Sequence, residues 1–323
     1  MTSPRVSVVI PTYERRESLL RALAALETQD IAPEEYEVVV VVDGSTDGTR
    51  EAVESLGTRY ALRICSQENR GRAAACNAGV AAATGSLVVL LDDDMIASRA
   101  LLSAHLQAHE VHPRLAVIGA APVEVTPDLA LPASYVGRKF NRHLERLASE
   151  GGPVGLRDFY SGNLSIAREL LLEVGGFDEG FTRYGNEDLE LSVRLRAIGV
   201  RIVYEPRAIA TQTYDKEFVA LAHDNVSKGR TAVLLALKHP AVRGQLKIGT
   251  SRGEPLMRRA ALTCLLSVTR VAPALRERVL HTMSRLTLRD PALAEQLYPL
   301  TLDYFYHCGA NDERRALRKK ARA

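Results

Sequence analysis

Short runs of aliphatic residues alternate with helical patterns through the first third of the chain. Residues 5–10 are the first apolar run. Residues 18–27 follow with the i, i+3, i+4 spacing of an amphipathic helix. Residues 37–42 are five valines behind one glutamate, which predicts a strand buried on both faces. Residues 47–56 predict a helix, opened by a Ser/Thr/Asp cluster of the capping kind. A short strand over 61–65, an alanine-rich helix over 71–83, a buried strand over 87–91 and a helix over 100–109 complete the series. This β-α-β-α order implies an α/β fold, with a mostly parallel sheet and helices on both faces. Ligands in such sheets bind at the carboxyl ends of the strands.

The alternation breaks over residues 126–157, where Pro127, Pro132, Gly137, Gly151, Gly152, Pro153 and Gly155 punctuate the chain. That density predicts a long irregular segment of the lid or binding-loop kind. Regular pattern resumes from 158 to about 212. After Ala236 the chain reads as helical, with polar breaks near 244–254, at Pro273 and at 290–291. We therefore divide it into residues 1–240 and a helical C-terminal extension, 241–323.

Composition narrows the class of protein. The 323 residues are 46% hydrophobic and 25% charged, which excludes a disordered, collagen-like or disulfide-stapled chain. The apolar runs are far shorter than the ~18 residues of a membrane span, and the N-terminus lacks the order of a signal peptide. Cys65, Cys76, Cys264 and Cys308 form no CxxC pair, so free thiols in a reducing cytoplasm are expected. The 42 basic residues exceed the 39 acidic ones by three. Residues 311–323 hold six basic and two acidic residues, so this tail carries +4 and the rest of the chain −1. A nearly neutral body argues against a nucleic-acid partner. The tail is expected to be a solvated helix end, with contact to an acidic membrane surface as the alternative.

Candidate chemistry concentrates in three places. Asp92-Asp93-Asp94 directly follows the buried strand 87–91. Adjacent carboxylates repel one another, and oxygen ligands of this kind suit Mg²⁺ or Mn²⁺ bridged to a diphosphate. The plain alternative is a solvated acidic turn. Gly185-Asn186-Glu187-Asp188 opens a helix, where acids either do chemistry or serve as caps. Asp43-Gly44-Ser45-Thr46-Asp47-Gly48 is turn chemistry after the second strand. No G-x-G-x-x-G or Walker sequence follows the first strand, which disfavours Rossmann and P-loop readings. His105, His109 and His112 have partly helical spacing suggestive of metal binding but, closed by Pro113, read as an exposed helix end. Cys76 reads as a small core residue.

Taken in order, these pieces resemble family 2 glycosyltransferases of the GT-A fold. Val6-Ser7-Val8-Val9-Ile10-Pro11-Thr12-Tyr13 leads to Asp43-Gly44-Ser45, then Asn69-Arg70-Gly71, Asn77-Ala78-Gly79 and Asp92-Asp93-Asp94. Ser161-Gly162-Asn163, Gly175-Gly176-Phe177-Asp178-Glu179 and Gly185-Asn186-Glu187-Asp188 follow. The resemblance covers roughly residues 5–235. It implies a GT-A type mostly parallel sheet flanked by helices, and an inverting transfer from a UDP-sugar. In relatives the first two motifs line the base, which implies Pro11, Thr12, Tyr13, Glu14 and Asp43 here. The DxD-type motif implies Mn²⁺ or Mg²⁺ held by Asp92 and Asp94, with Asp93 beside the donor. The ED pair implies Asp188 as general base, with Glu187 on the acceptor or donor sugar. The Ser161-Gly162-Asn163 loop is implied near the acceptor, with Gly162 and Asn163 binding it, and Asn77 is implied at the donor.

Three departures from the family pattern stand out. Val42 replaces one acid of the usual Asp-Asp-Gly-Ser. Cys76 replaces an arginine, with Arg70 or Arg72 as substitutes for it on the donor. Gln212 stands where relatives often carry a metal-binding His, so Gln212 or His223 is the candidate third ligand. A sugar, lipid, peptide or natural-product acceptor is open, as is a homo-oligomer through the C-terminal helices. The rival readings are a sugar-phosphate nucleotidyltransferase and a non-catalytic nucleotide-sugar-binding protein.

Overall fold

The computed structural model describes residues 3–151, 154–248, 256–271 and 274–321. It divides into two compact units. The first comprises Met1–Glu124, Gly137–Thr182 and Glu187–Tyr214. Its strands are β1 (Val6–Thr12), β2 (Tyr36–Asp43), β3 (Ala61–Gln67), β4 (Leu87–Leu91), β5 (Met95–Ala97), β6 (Leu115–Ala120), β7 (Asn163–Ala167) and β8 (Arg201–Gln212). They form one sheet in the order β3-β2-β1-β4-β7-β6-β8-β5. Only β7 and β5 run against the rest. The sheet is thus mostly parallel, as its valine-rich strands require.

Period-2 alternation sends side chains to two cores. Val8, Ile10, Val38 and Val40 pack with Leu19 and Leu23 of α1 (Arg16–Leu26) and Leu101 of α4 (Leu101–His109). Val9, Val39 and Val41 pack on the other face with Cys76 and Val80 of α3 (Arg72–Ala82) and Leu191 of α7 (Glu187–Ala197). Two short helices, α2 (Thr49–Glu54) and α6 (Arg168–Glu173), complete the covering. All eight positions of β2 are buried, Glu37 included. Glu37 survives there because Ser7, Thr84 and Arg63 all reach its carboxylate.

Two expectations need correction. The stretch 126–157 is not an irregular loop, since α5 occupies Leu131–Glu150. Pro132 lies in its first turn, where a missing N–H costs little. Leu144 and Leu147 are buried and Phe140 is half-buried, a stripe at helical spacing. Gly152 and Pro153 of the same stretch lie outside the described residues. His105 and His109 are not an exposed helix end: His105 is fully buried and His109 partly so, both against β7.

The second unit comprises Val125–Val136, Arg183–Asn186 and Asp215–Ala323. Helicity begins at Phe218, earlier than the sequence pattern indicates. The helices are α8 (Phe218–Lys238), α9 (Leu256–Val271), α10 (Ala274–Arg289) and α11 (Pro291–Lys320). Phe218 stacks on Tyr298, and Tyr304 and Phe305 extend the aromatic core. Gly229 of α8 and Gly309 of α11 let the two backbones approach closely: a Cβ on Gly229 would strike the Tyr306 carbonyl, and one on Gly309 that of Val226. The break predicted at Pro273 lies outside the described residues, as does much of 244–254. Among the described residues, no helix is long and apolar enough to cross a membrane.

Candidate active site

The carboxyl edge of the sheet gathers most of the predicted site. The antiparallel β7 starts where β4 ends, with Asn163 opposite Leu91, so residues 161–162 arrive beside Asp92. The Asp92 N–H donates to the Gly162 carbonyl at 3.0 Å. A side chain at 162 would collide with the Asp92 carboxylate, which is the physical reason for glycine there. The end of β8 brings Gln212 alongside Asp94.

The three aspartates face different partners. Asp92 accepts from Arg72 Nη2 at 2.6 Å. Asp93 accepts from the Thr12 hydroxyl at 2.8 Å and from Arg15 Nη1 at 3.3 Å. Asp94 Oδ2 accepts from Arg15 Nη1 at 3.0 Å and from Gln212 Nε2 at 3.3 Å. Asp94 Oδ1 is buried with no hydrogen-bond partner. Burial, outweighing Arg15 and Thr12, pushes Asp93 up to about 6. Burial and then Asp92 raise Asp94 above the usual carboxylate range. Burial opposes the Arg15 charge, but Asp93 and Asp94 outweigh it and hold the guanidinium above its ordinary value.

Arg72 is the hub of the opposite wall. Besides Asp92 it donates to the Ser161 hydroxyl at 3.0 Å, lies 3.9 Å from Glu187 Oε1, and sits over the Phe177 ring at 5.9 Å. Glu187 is 5% exposed and its Oε2 has no hydrogen-bond partner. Asp188 is half-buried, and its Oδ1 accepts the N–H of Leu189 at 2.7 Å.

The loops after β1 and β2 are tied together. The Glu14 carboxylate takes both the N–H and the hydroxyl of Thr46, while the Glu14 N–H donates to the Ser45 hydroxyl at 2.9 Å. Asp43 is 4% exposed and accepts from Gln67 Nε2 and from the N–H groups of Arg70 and Gly71 at 2.7 to 2.9 Å. It therefore shapes the 67–71 loop. Tyr13 is 50% exposed. Pro11 lies within β1, opposite Val41.

Other predicted residues look elsewhere. Asn77 spends its amide on Phe177 and Glu179, and the Arg70 side chain pairs with Glu179 at 2.6 Å. Asn163 is fully buried and commits its amide to His105 and to the Ala120 and Ala208 carbonyls. It supports the 161–162 loop from behind rather than lining the cleft. Gln212 meets Asp94 through its amide N–H, and His223 is exposed on α8. Cys76 is fully buried, with burial pushing its thiol up to about 12, so it is a core residue. Ser161 belongs to the 161–163 motif implied near the acceptor, whereas Arg15 is not singled out by the sequence. Arg15 directly follows the Pro11–Glu14 motif, which is the signal that could have found it.

The site suits a divalent cation in one respect. Asp94 offers a buried, unpartnered oxygen, and Asp92 lies two residues away. Among the described residues, no group of three or more His, Cys, Asp or Glu side chains is arranged to hold a metal. Two carboxylates with the rest of the shell drawn from a diphosphate and water fit the habit of Mg²⁺ and Mn²⁺.

Comparison with known proteins identifies the family and the fold. The family described as Glycosyl transferase family 2 matches residues 7–171, and the N-terminal domain of galactosyltransferase matches 142–216. A validoxylamine A glucosyltransferase of Streptomyces hygroscopicus subsp. limoneus is 31% identical over 283 residues, covering 75% of this chain and 58% of the relative. The chain thus spans about three-fifths of the length of the first curated relatives it matches. Among solved structures, the mannosyltransferase PcManGT from Pyrobaculum calidifontis, in complex with GDP-Man and Mn²⁺, superposes with a TM-score of 0.63 at 24% identity. That match covers 97% of this chain and 88% of the other. S. aureus TarS 1-349 in complex with UDP gives a TM-score of 0.54 at 18% identity, covering 97% and 92%. The architecture is the GT-A fold, and with just over half of its residues matched by the family's pattern, the chain belongs to glycosyl transferase family 2.

Proposed function

We propose that this chain is an inverting glycosyltransferase that moves a sugar from a UDP-sugar to the hydroxyl of a sugar, lipid, peptide or natural-product acceptor. The observation that carries the reading is one contact chain at the carboxyl edge of the sheet: Asp94 and Asp93 to Arg15, Asp92 to Arg72, and Arg72 to Glu187. It sets the acids suited to a donor diphosphate beside the acids suited to an acceptor. Tyr13 and the loops that Asp43 and Glu14 brace would hold the base and ribose.

Asp92 and Asp94 would hold Mn²⁺ or Mg²⁺, which when bound would neutralise charge on the departing diphosphate. The acceptor hydroxyl attacks the anomeric carbon on the face opposite the diphosphate. The new C–O bond forms as the bond to the diphosphate oxygen breaks, and that oxygen keeps the electron pair. The hydroxyl proton passes to the Asp188 carboxylate. A single displacement inverts the anomeric centre through an oxocarbenium-like transition state. Half-exposure supports Asp188 as the base, since a hydroxyl can reach it. Glu187, buried beside Arg72 with one oxygen unpartnered, is suited to accept a hydrogen bond from a sugar hydroxyl.

Calorimetry with UDP, GDP, CMP and dTDP in Mn²⁺ tests the donor assignment. UDP should bind tightest, and Asp43→Ala should weaken it by about tenfold, the worth of one charge-assisted hydrogen bond. Tighter binding of GDP or CMP would overturn the uridine reading.

A further inference from the structure

We propose that Arg15 is a built-in counter-ion of the acidic loop, a positioning residue that takes a cation's place at Asp94 while the donor is absent and so couples divalent-metal binding to the arrival of the nucleotide diphosphate. The inference rests on the metal-dependent transferase reading above.

The geometry of the loop leads to it. Asp93 and Asp94 are 7% and 8% exposed, and Asp92 adjoins them. Two buried carboxylates with a third, half-buried one beside them need positive charge nearby. Two arginines already supply it. Arg72 takes Asp92, and Arg15 spans Asp93 and Asp94 from the turn after β1. The Asp94 oxygen that meets Arg15 also takes the Gln212 amide N–H, so Oδ2 already accepts two donors while Oδ1 has none. A divalent cation bound between Asp92 and Asp94 would add two positive charges beside the fixed one on Arg15. In the nucleotide-free protein that repulsion opposes metal binding. A diphosphate brings its own negative charge and offers the guanidinium a bidentate partner of the kind arginine favours.

The turn that carries Arg15 is built for a side-chain motion rather than a loop motion. Glu14, at φ +52°, is anchored through its N–H to Ser45 and its carboxylate to Thr46. The Arg16 N–H is anchored to the Asp47 carboxylate at 3.0 Å. Between these two fixed points the Arg15 side chain is 38% exposed, so it can leave Asp94 for a ligand entering from solvent.

The test is Mn²⁺ titration followed by the electron paramagnetic resonance signal of the free ion, with and without UDP. Wild type should bind Mn²⁺ weakly alone and much more tightly with UDP. Arg15→Gln should bind Mn²⁺ alone about tenfold more tightly than wild type, an order of magnitude reduced from the bare Coulomb value by solvent screening. The factor by which UDP tightens Mn²⁺ should shrink in the variant, and by reciprocity so should the factor by which Mn²⁺ tightens UDP. Arg15→Lys, which keeps the charge, should retain weak binding of Mn²⁺ alone. Asp94→Asn in the Arg15→Gln background should remove the gain, which places it at this loop. If circular dichroism shows Arg15→Gln unfolded, Arg15→Met supplies a neutral side chain of similar reach for the same measurement. Mn²⁺ binding to the folded neutral variant that is no tighter than wild type overturns the role of Arg15 and leaves the transferase reading standing. A wild type that binds Mn²⁺ neither alone nor with UDP overturns both.

Discussion

Asp188 and Glu187 are neighbours in the first turn of α7, yet their surroundings differ. Glu187 is buried against Arg72, whereas Asp188 is half-exposed. Asp188→Asn keeps the shape and removes the proposed proton acceptor, so kcat should fall by roughly 10²–10⁴-fold, the range for loss of a general base. The UDP-sugar Kd should stay within about twofold, because the residue is assigned to the acceptor side. Measuring both constants decides it: if kcat survives in Asp188→Asn but is lost in Glu187→Gln, the base is Glu187. At this scale the acids that meet at the carboxyl edge are legible as candidates from their types and spacing. The roles of Arg15 and Asn163 are not. An arginine in a chain that contains many announces nothing until loop closure sets it beside two carboxylates. Asn163 sits in a motif that points to a ligand, yet the alternation of β7 turns its side chain inward.

Helix α4 and strand β7 share a buried polar relay whose direction is fixed by one amide. Asn163 Nδ2 donates to the Ala120 and Ala208 carbonyls, both at 3.0 Å, so its Oδ1 must accept from His105 Nε2–H at 2.9 Å. His105 Nδ1 then accepts from the Ser165 hydroxyl at 2.7 Å, and that oxygen accepts from His109 Nε2–H at 2.9 Å. All of these bonds form with both imidazoles neutral. Burial pushes both down to about 4. The unfolded chain, with imidazoles near 6.5, binds those protons more tightly. Stability from the relay is therefore complete above about pH 6.5 and is lost as pH falls from 6.5 towards 4. Each imidazole contributes a slope of up to about 1.4 kcal/mol per pH unit in that window. Denaturant unfolding of wild type and His105→Gln from pH 4 to 7 should show the variant's slope lower by about one proton; equal slopes would contradict the relay. The relay was hidden in the sequence because histidines near a helix end look exposed until the sheet they face is known. Helix α5 was hidden for the opposite reason. Its Phe140, Leu144 and Leu147 stripe has the right period, but prolines and glycines around it outweighed the signal.

For the whole molecule, the β-α alternation was enough to indicate a mostly parallel sheet, since only one arrangement buries strands made almost wholly of valine and leucine. The helical unit was less legible. Its core depends on aromatic stacking between segments far apart in sequence, such as Phe218 on Tyr298, and on paired glycines whose purpose shows only when α8 meets α11. Fold and family do not by themselves specify a reaction, because one scaffold hosts many chemistries. We propose that the carboxyl-edge cluster binds a UDP-sugar with a divalent cation and activates its anomeric bond. The most direct measurement is release of nucleoside diphosphate from a panel of UDP-, GDP-, CMP- and dTDP-linked sugars, with Mn²⁺ or with excess EDTA, using the full chain and Asp94→Asn. We expect slow hydrolysis of at least one UDP-sugar in Mn²⁺, abolished by EDTA and reduced by several kcal/mol of transition-state stabilisation, about 10²-fold or more, in Asp94→Asn. Undiminished hydrolysis in EDTA or in Asp94→Asn, or turnover confined to GDP- or CMP-linked donors, would contradict the account.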